Sequence, residues 1–187
     1  MTTATAPTLT DLTGSYTLDP AHTRIGFVAR HAMVTKVRGA FNEFEGTATL
    51  DGANPANSRA QVTIDAASID TRNAQRDEHL RGNDFLAMQE YPQITFSSTG
   101  ARQVDDSTFE LTGDLSIKGV TNPITIPFTF EGAAKDPFGN LRVGFEGSVA
   151  INRKDYGITW NATLETGGVL VSDKVTLEFE ISAIKNA

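Results

Sequence analysis

The alternating run LRVGFEGSVAI, at positions 141–151, decides the fold class of this chain. Every second residue from Leu141 to Ile151 is apolar or glycine, and Arg142, Glu146 and Ser148 lie between them. Strict alternation of this kind is typical of a β-strand with one dry face and one wet face. We therefore predict a long strand here and an all-β fold.

The same period of two recurs along most of the chain. Shorter runs occupy 25–29, 44–50, 62–66, 94–98, 109–117, 124–130 and 175–181. Turn sequences separate them, such as DGANP and DPFGN. Because strands joined by short turns run antiparallel, the pattern predicts about eight antiparallel strands. An extra short strand is expected near 158–164.

One segment, around residues 71–88, departs from this alternation and indicates a helix. Asp70, Thr71 or Asn73 can cap its start. Gly82 is expected to divide the segment into two short helices, because glycine is unfavourable inside a helix. Pro92 then ends it.

The chain has the size and composition of one globular domain. It has 187 residues, of which 39% are hydrophobic and 21% are charged. We predict a flexible tail over residues 1–14, which are rich in Thr, Ala and Pro, and a single domain over 15–187. The first residues lack a signal-like apolar run. This predicts a cytoplasmic protein, or a periplasmic or secreted one if the chain is a processed form.

The composition and the motifs exclude several function classes. The sequence contains no cysteine, so disulfides, thiolate catalysis and Cys-based zinc sites are excluded. A net charge of -7 without a basic run disfavours nucleic-acid binding. The three histidines have no metal-ligand spacing, and no nucleophile or phosphate-loop motif is present. We therefore predict neither an enzyme nor a metal site.

The dry faces of the predicted strands combine many Phe residues with small residues. Ala29, Gly113 and Gly147 are examples of the small ones. An eight-stranded barrel has room for its own side chains or for one small ligand, and small inward residues would leave space for that ligand. The same pattern fits a sandwich with a filled core, and periodicity alone does not decide between the two.

Several segments share their order and spacing with a known family. They are LDPAHTRIGF (18–27), ASIDT (67–71), RDEHLR (76–81), YPQITF (91–96), GDLSIKGVTNP (113–123) and INRKDYG (151–157). Together they resemble the YceI-like family of polyisoprenoid-binding proteins over about residues 15–184. The resemblance implies an extended, lipocalin-like, antiparallel eight-stranded β-barrel. It also implies carriage or storage of a long isoprenoid lipid, such as a quinone or polyprenyl compound, in an internal pore, with no cofactor besides this ligand.

Aromatic residues of the dry faces, together with one histidine, are the candidate ligand contacts. His31 continues the alternation of Ile25 and Phe27, so it is either a polar contact to the ligand or a core histidine bonded to a neighbouring strand. Trp160 lines the pore or an edge. The predicted set is Phe27, His31, Phe44, Phe85, Phe96, Phe128, Phe145, Trp160 and Phe179.

Two polar clusters are candidates for a head-group or lid site. They are Arg76, Asp77 and His79 in the first cluster, and Asn152, Arg153 and Asp155 in the second. A structural role is the alternative for each. The first cluster would cap the helix and form a salt bridge, and the second would pair with the helical segment.

Two other functions stay open. A structural or protein-interaction barrel, including a homodimer, predicts a packed interior and a large apolar outer patch. A hydrolase-type enzyme predicts a histidine close to a carboxylate and to a Ser or Thr in a wet cleft. A dry, tubular pocket would favour lipid binding.

Overall fold

The structure is a computed structural model that describes residues 7–187. Within this range the chain forms strands, one α-helix and several short 3-10 helices. The strands are β1 (Gly14–Leu18), β2 (Arg24–His31), β3 (Thr35–Phe41), β4 (Phe44–Leu50), β5 (Arg59–Asp65), β6 (Ile69–Asp70), β7 (Gln93–Gln103), β8 (Thr108–Ile117), β9 (Val120–Lys135), β10 (Leu141–Asn152) and β11 (Val171–Lys185). The helix is α1 (Ala74–Arg81).

The strands form a closed antiparallel barrel. The strands β5, β7, β8, β9, β10 and β11 pair in that order, and β11 also pairs with β1, which closes the ring. The strands β1 and β2 together occupy one position in the ring of the barrel, because each pairs with a different part of β11. The next two positions are divided in the same way. In the first, β4 pairs with β1 and β3 pairs with β2. In the second, β5 pairs with β4 and β6 pairs with β3. The predicted eight-stranded barrel is confirmed.

Side chains bridge the break between β1 and β2. The Thr23 hydroxyl accepts a hydrogen bond from the Ser182 N–H and donates one to the Ser182 carbonyl, each over 3.0 Å. These bonds replace strand pairing where the backbone leaves the sheet. On the outer surface, Arg142 contacts the carboxylates of Asp19 at 2.6 Å and Asp136 at 2.8 Å. Both sets of contacts therefore hold the chain near the break.

The helical segment is shorter than the sequence predicts. Asn73 caps α1 by accepting a hydrogen bond from the Arg76 N–H over 3.0 Å. The helix ends before Gly82, and the chain up to Pro92 consists of turns. Ala87 has a φ of 46°, in the left-handed region, so a second helix does not form. The extra strand expected near 158–164 is also absent from the described residues, which contain an isolated bridge at Thr163 instead.

The start of the described chain is ordered. Residues 1–6 of the tail predicted over 1–14 lie outside the described residues. In the remainder, Thr10–Leu12 forms a 3-10 helix and Leu12 is buried. Leu9 and Leu12 pack into an apolar cluster against Tyr16 and Val143, so this part of the predicted tail contacts the barrel.

No helix among residues 7–187 has both the length and the apolar character needed to cross a membrane.

Candidate ligand-binding cavity

An apolar cavity of about 240 Å³ lies inside the barrel. Its wall is formed by inward-facing residues of strands all around the ring. These include Val62, Ile64, Phe96, Leu111, Ile126, Phe128, Phe145, Leu177 and Phe179. The alternation in the sequence directs these side chains inward, since successive residues of a strand point to opposite faces.

Several large residues on this wall are not fully buried. Phe128, Phe145 and Phe179 face the interior but keep part of their surface accessible, whereas neighbouring Ile126 is buried. Large apolar side chains in a close-packed core are normally sealed by their neighbours. The interior therefore contains space. This is inconsistent with a filled core, the alternative that the sequence pattern could not exclude.

Glycines of the wall lie beneath aromatic rings. A Cβ atom on Gly113 would lie 2.6 Å from the Phe96 ring, and one on Gly147 would lie 2.7 Å from the Phe128 ring. Each ring can therefore lie against the sheet of the barrel and project less into its interior. The expectation that these glycines leave open space is wrong in detail, because neighbouring rings occupy that space.

One end of the barrel is closed by packed side chains. Phe85 and Leu86, from the turns after α1, are buried there with Ile117, Tyr156 and Ile158. None of these residues lines the cavity. We call this the closed end.

The cavity reaches the surface at the opposite end. Leu9 and Leu50 line it there, together with Gly52 and Pro55 of the loop between β4 and β5. The Gly52 N–H donates a hydrogen bond of 3.0 Å to the Thr13 hydroxyl, so the loop is joined to the N-terminal segment. We call this the open end.

A single carboxylate, that of Asp51, shapes the loop at the open end. Asp51 accepts hydrogen bonds from the N–H groups of Asn54 at 2.9 Å and Ala53 at 3.1 Å, and from the Asn57 amide at 3.3 Å. The bond from Asn54, and then the bond from Asn57, lower the pKa of the Asp51 carboxyl below its ordinary value. The negative charge of Asp51 therefore stabilises the loop itself, through hydrogen bonds from groups of the same loop.

The predicted aromatic ligand contacts divide between the two ends. Phe96, Phe128, Phe145 and Phe179 line the cavity. The other predicted aromatics are not among the residues that line the cavity, and their contact with a ligand stays a prediction; they are Phe27, Phe44, Phe85 and Trp160. These four pack in the core cluster that includes the closed end, where Phe85 and Trp160 have ring centroids 5.4 Å apart.

His31 is exposed at the end of β2. Its position in the alternation is inward, but β2 ends there, so no wall encloses the side chain. The placement of His31 in the dry interior is therefore wrong, and so is the alternative of a core histidine. It does not line the cavity.

The polar residues of α1 hold the chain before the helix. Arg76 donates to the hydroxyl and the carbonyl of Thr71, each over 2.7 Å, and buried Asp77 accepts from the Thr71 N–H over 2.8 Å. His79 stacks edge-on against Trp160 at 4.8 Å and contacts the Asp84 carboxylate at 2.9 Å. These contacts are structural, and all of them lie away from the cavity wall.

The second polar cluster fixes the loop after β10. Arg153 is 96% buried, since its relative exposure is 4%. It donates to the carbonyls of Ile158 at 2.8 Å, Trp160 at 2.9 Å and Ser172 at 2.9 Å, and burial lowers its pKa. The expected pairing of this cluster with the helical segment is wrong for Arg153, whose partners belong to the loop and to β11.

The other members of this cluster have local roles. The Asn152 side chain accepts a hydrogen bond from the Lys154 N–H over 2.9 Å. Asp155 is exposed, and its backbone carbonyl accepts from the Asn122 amide over 2.9 Å. Neither residue lines the cavity.

The sequence prediction missed the residues of the open end. Leu9, Leu12 and Leu50 line it, and Tyr16 beside them donates a hydrogen bond to the Leu12 carbonyl over 2.7 Å. The helical spacing of Leu9 and Leu12 was the available signal. It lay inside the segment predicted to be a tail.

The chain matches a family model described as the YceI-like domain over residues 16–183. The chain belongs to the YceI-like family. Protein YceI of Escherichia coli is 42% identical over 137 residues, which are 73% of this chain and 71% of that protein.

Solved structures share the YceI-like barrel. The crystal structure of BcnA from Burkholderia cenocepacia has a TM-score of 0.78 and 27% identity, and covers 88% of this chain and 98% of BcnA. A polyisoprenoid binding domain from Saccharophagus degradans has a TM-score of 0.68 and 15% identity, and covers 91% of this chain and 98% of that domain. This second likeness concerns the fold.

The histidines have surface environments. His22 contacts Asp19 at 2.7 Å and is exposed, as is His79 beside Asp84. No Ser or Thr hydroxyl hydrogen-bonds to either ring among residues 7–187. Within the same range, no group of three or more His, Asp or Glu side chains is arranged to hold a metal ion.

Proposed function

We propose that this YceI-like barrel binds a long-chain isoprenoid lipid, such as a quinone or polyprenyl compound, and carries or stores it. The observation that supports this most is the cavity, which opens at one end and whose wall includes the apolar side chains of Ile126, Phe128 and Phe145. The polyisoprenoid binding domain of Saccharophagus degradans, which shares the fold, supports the same ligand class.

The chemistry of the wall favours a hydrocarbon chain. Each CH₂ group moved from water into an apolar site contributes about 0.8 kcal/mol, and ordering the chain offsets part of this gain. The aromatic wall offers such a site along several strands. A polar group would lose its hydrogen bonds to water there without replacement, so the ligand's head group would remain at the open end.

The closed end gives the ligand a direction. Phe85, Ile117 and Tyr156 fill that end, so a chain would enter tail first from the side of Leu9 and Pro55. This arrangement suits reversible loading of one lipid and requires no catalytic group. The homodimer and the cytoplasmic location expected from the sequence stay predictions.

A protein-interaction barrel is the competing function. It predicts a packed interior and one large apolar outer patch, but the interior contains a cavity. The most exposed apolar side chains are divided between the two ends: Met33 and Val34 are on the β2–β3 turn, and Phe138 is on the β9–β10 turn. Because these side chains do not form one patch, the structure favours the lipid-binding function and not the protein-interaction function.

Native mass spectrometry of the purified protein, followed by organic extraction of bound lipid, tests the proposal. We expect an isoprenoid at close to one molecule per protein chain. After delipidation, the protein should take up geranylgeraniol, a C20 prenyl alcohol, in a calorimetric titration. A protein that is purified without lipid and binds neither geranylgeraniol nor a long-chain quinone would contradict the proposed function.

A further inference from the structure

We propose that the open end docks on a zwitterionic lipid bilayer of zero net charge through Phe138, so that the isoprenoid moves between the bilayer and the cavity without crossing water. This inference rests on the proposed function. Phe138 is 87% exposed, the largest fraction among the exposed large hydrophobic residues of the described chain.

The β9–β10 turn holds Phe138 in place. The Asp136 carboxylate accepts hydrogen bonds from the N–H groups of Phe138 at 2.8 Å and Asn140 at 3.0 Å, and it contacts Arg142 at 2.8 Å. Arg142 is in turn bound to Asp19 at 2.6 Å. The aromatic ring therefore projects from a turn that is fixed at its base.

The turn belongs to the same end as the cavity opening. Leu141, which follows the turn, packs in one apolar cluster with Leu9 and Leu50, both of which line the opening. Val104, on the neighbouring β7–β8 turn, is 47% exposed and adds a second apolar tip. Apolar tips beside a lipid entrance are suited to the interfacial region of a membrane, where aromatic side chains are favoured.

Charge determines which bilayer fits. The chain carries a net charge of -7, and Asp105 and Asp106 are exposed beside Val104. Repulsion disfavours an anionic membrane surface. Docking therefore depends on apolar contact, and a single exposed ring gives the weak, reversible contact that a carrier requires.

Co-sedimentation of the full chain with phosphatidylcholine vesicles tests the inference, and Val34→Ser is the matched control. Val34 is 75% exposed, but it lies on the β2–β3 turn at the closed end. We expect Phe138→Ser to lower the vesicle partition coefficient by at least about tenfold. We expect Val34→Ser to change it by less than about twofold, and vesicles containing phosphatidylglycerol to bind no more strongly.

A second measurement separates docking from ligand binding. The rate at which a prenyl quinone moves from phosphatidylcholine vesicles to the protein should fall with Phe138→Ser and not with Val34→Ser. The affinity for dispersed geranylgeraniol should be the same in both variants, because neither side chain lines the cavity.

The possible outcomes distinguish the two proposals. Equal partition of wild type and Phe138→Ser, or equal losses in both variants, would overturn the docking inference. If geranylgeraniol still binds in solution, the proposed function stands without it. Absence of any prenyl binding would contradict the proposed function itself.

Discussion

The hydroxyl groups of Tyr16 and Tyr156 are both buried, but they differ in their hydrogen bonding. The Tyr16 hydroxyl donates to the Leu12 carbonyl over 2.7 Å. Among residues 7–187, the Tyr156 hydroxyl makes no hydrogen bond of normal geometry, and the Asn122 amide beside it donates to the Asp155 carbonyl instead. A buried polar atom without a partner destabilises the folded state, because the same atom forms hydrogen bonds with water in the unfolded chain.

Replacing each tyrosine by phenylalanine should have opposite effects. We expect Tyr16→Phe to lower the free energy of unfolding by about 1 kcal/mol, because a buried hydrogen bond is lost. Tyr156→Phe should raise it by up to about 1 kcal/mol, because the unpaired hydroxyl is removed. Urea unfolding measures both. An equal loss in the two variants would mean that the Tyr156 hydroxyl is hydrogen-bonded, for example to water.

The Asp136 carboxylate should make stability depend on pH in an acidic range. Burial alone would raise the pKa of Asp136, but hydrogen bonds from the Asn140 N–H, the Arg142 guanidinium and the Phe138 N–H outweigh it and lower the pKa to about 2. In an unfolded chain the value is about 4. The stabilisation is therefore present above about pH 4 and is lost as pH falls toward about 2.

The variant Asp136→Asn tests this dependence. It should be less stable than the wild type above about pH 4. The difference in the free energy of unfolding should decrease between about pH 4 and 2 as the wild-type carboxylate becomes protonated. Unfolding by urea at a series of pH values measures it. A difference that is constant over this range would contradict the assignment to Asp136.

Residue patterns predicted which way a side chain points, but not what surrounds it. The alternation places Phe96 and His31 on inward faces alike. Phe96 is enclosed by neighbouring strands, whereas His31 lies where β2 ends and is exposed. Arg153 shows the opposite error. A charged residue in a loop is usually solvated, but carbonyls of the following loop and of β11 surround this one.

At the scale of the strands, glycines and aromatic rings act together in the barrel wall. A Cβ atom on Gly113 would lie 2.6 Å from the Phe96 ring and 2.6 Å from the Ser97 carbonyl oxygen. The ring could move, but the carbonyl belongs to the backbone of the neighbouring strand. The spacing of β7 and β8 therefore depends on this glycine.

Two alanine substitutions in neighbouring strands test this dependence. Gly113→Ala should lower the free energy of unfolding by about 1–3 kcal/mol, because the added methyl group overpacks the wall. Gly100→Ala is the matched control in β7, where a Cβ atom would meet no other atom within 4 Å. It should be neutral or slightly stabilising. Chemical denaturation measures both, and equal losses would show that overpacking is not the cause.

Strands were more predictable from the sequence than the helical segment. The run at 141–151 matches β10 (Leu141–Asn152) because alternation persists over its whole length. The segment at 71–88 contains few apolar residues with helical spacing, and turns with left-handed residues such as Ala87 take over after Gly82. Local propensity does not reveal such conformations, since hydrogen bonds such as that from the Met88 N–H to the Arg81 carbonyl stabilise them.

On the scale of the whole molecule, the barrel has one packed end and one open end. Alternation along strands is the same at both ends, so the sequence pattern could not show where the interior is filled. The filling of the closed end comes from segments outside the strands, residues 82–92 and 153–170, whereas Leu9 and Leu12 line the cavity at the open end. These segments decide the length of the cavity.

Filling the cavity should block ligand binding without unfolding the barrel. Leu111 lines the cavity, so Leu111→Trp would extend a large ring into it. We expect the affinity for geranylgeraniol to fall by at least about tenfold. Thr129→Trp, at an exposed position on β9, is the matched control and should bind as the wild type does. Calorimetric titration measures the affinity, and circular dichroism verifies the fold of both variants.

The space inside the barrel also has a mechanical consequence. Unfolding under hydrostatic pressure is favoured when it eliminates internal voids, because the unfolded chain and its water then occupy a smaller volume. A cavity of about 240 Å³ makes this volume change larger for the empty protein. A hydrocarbon chain that fills the cavity would make it smaller. The loaded barrel should therefore withstand higher pressures than the empty one.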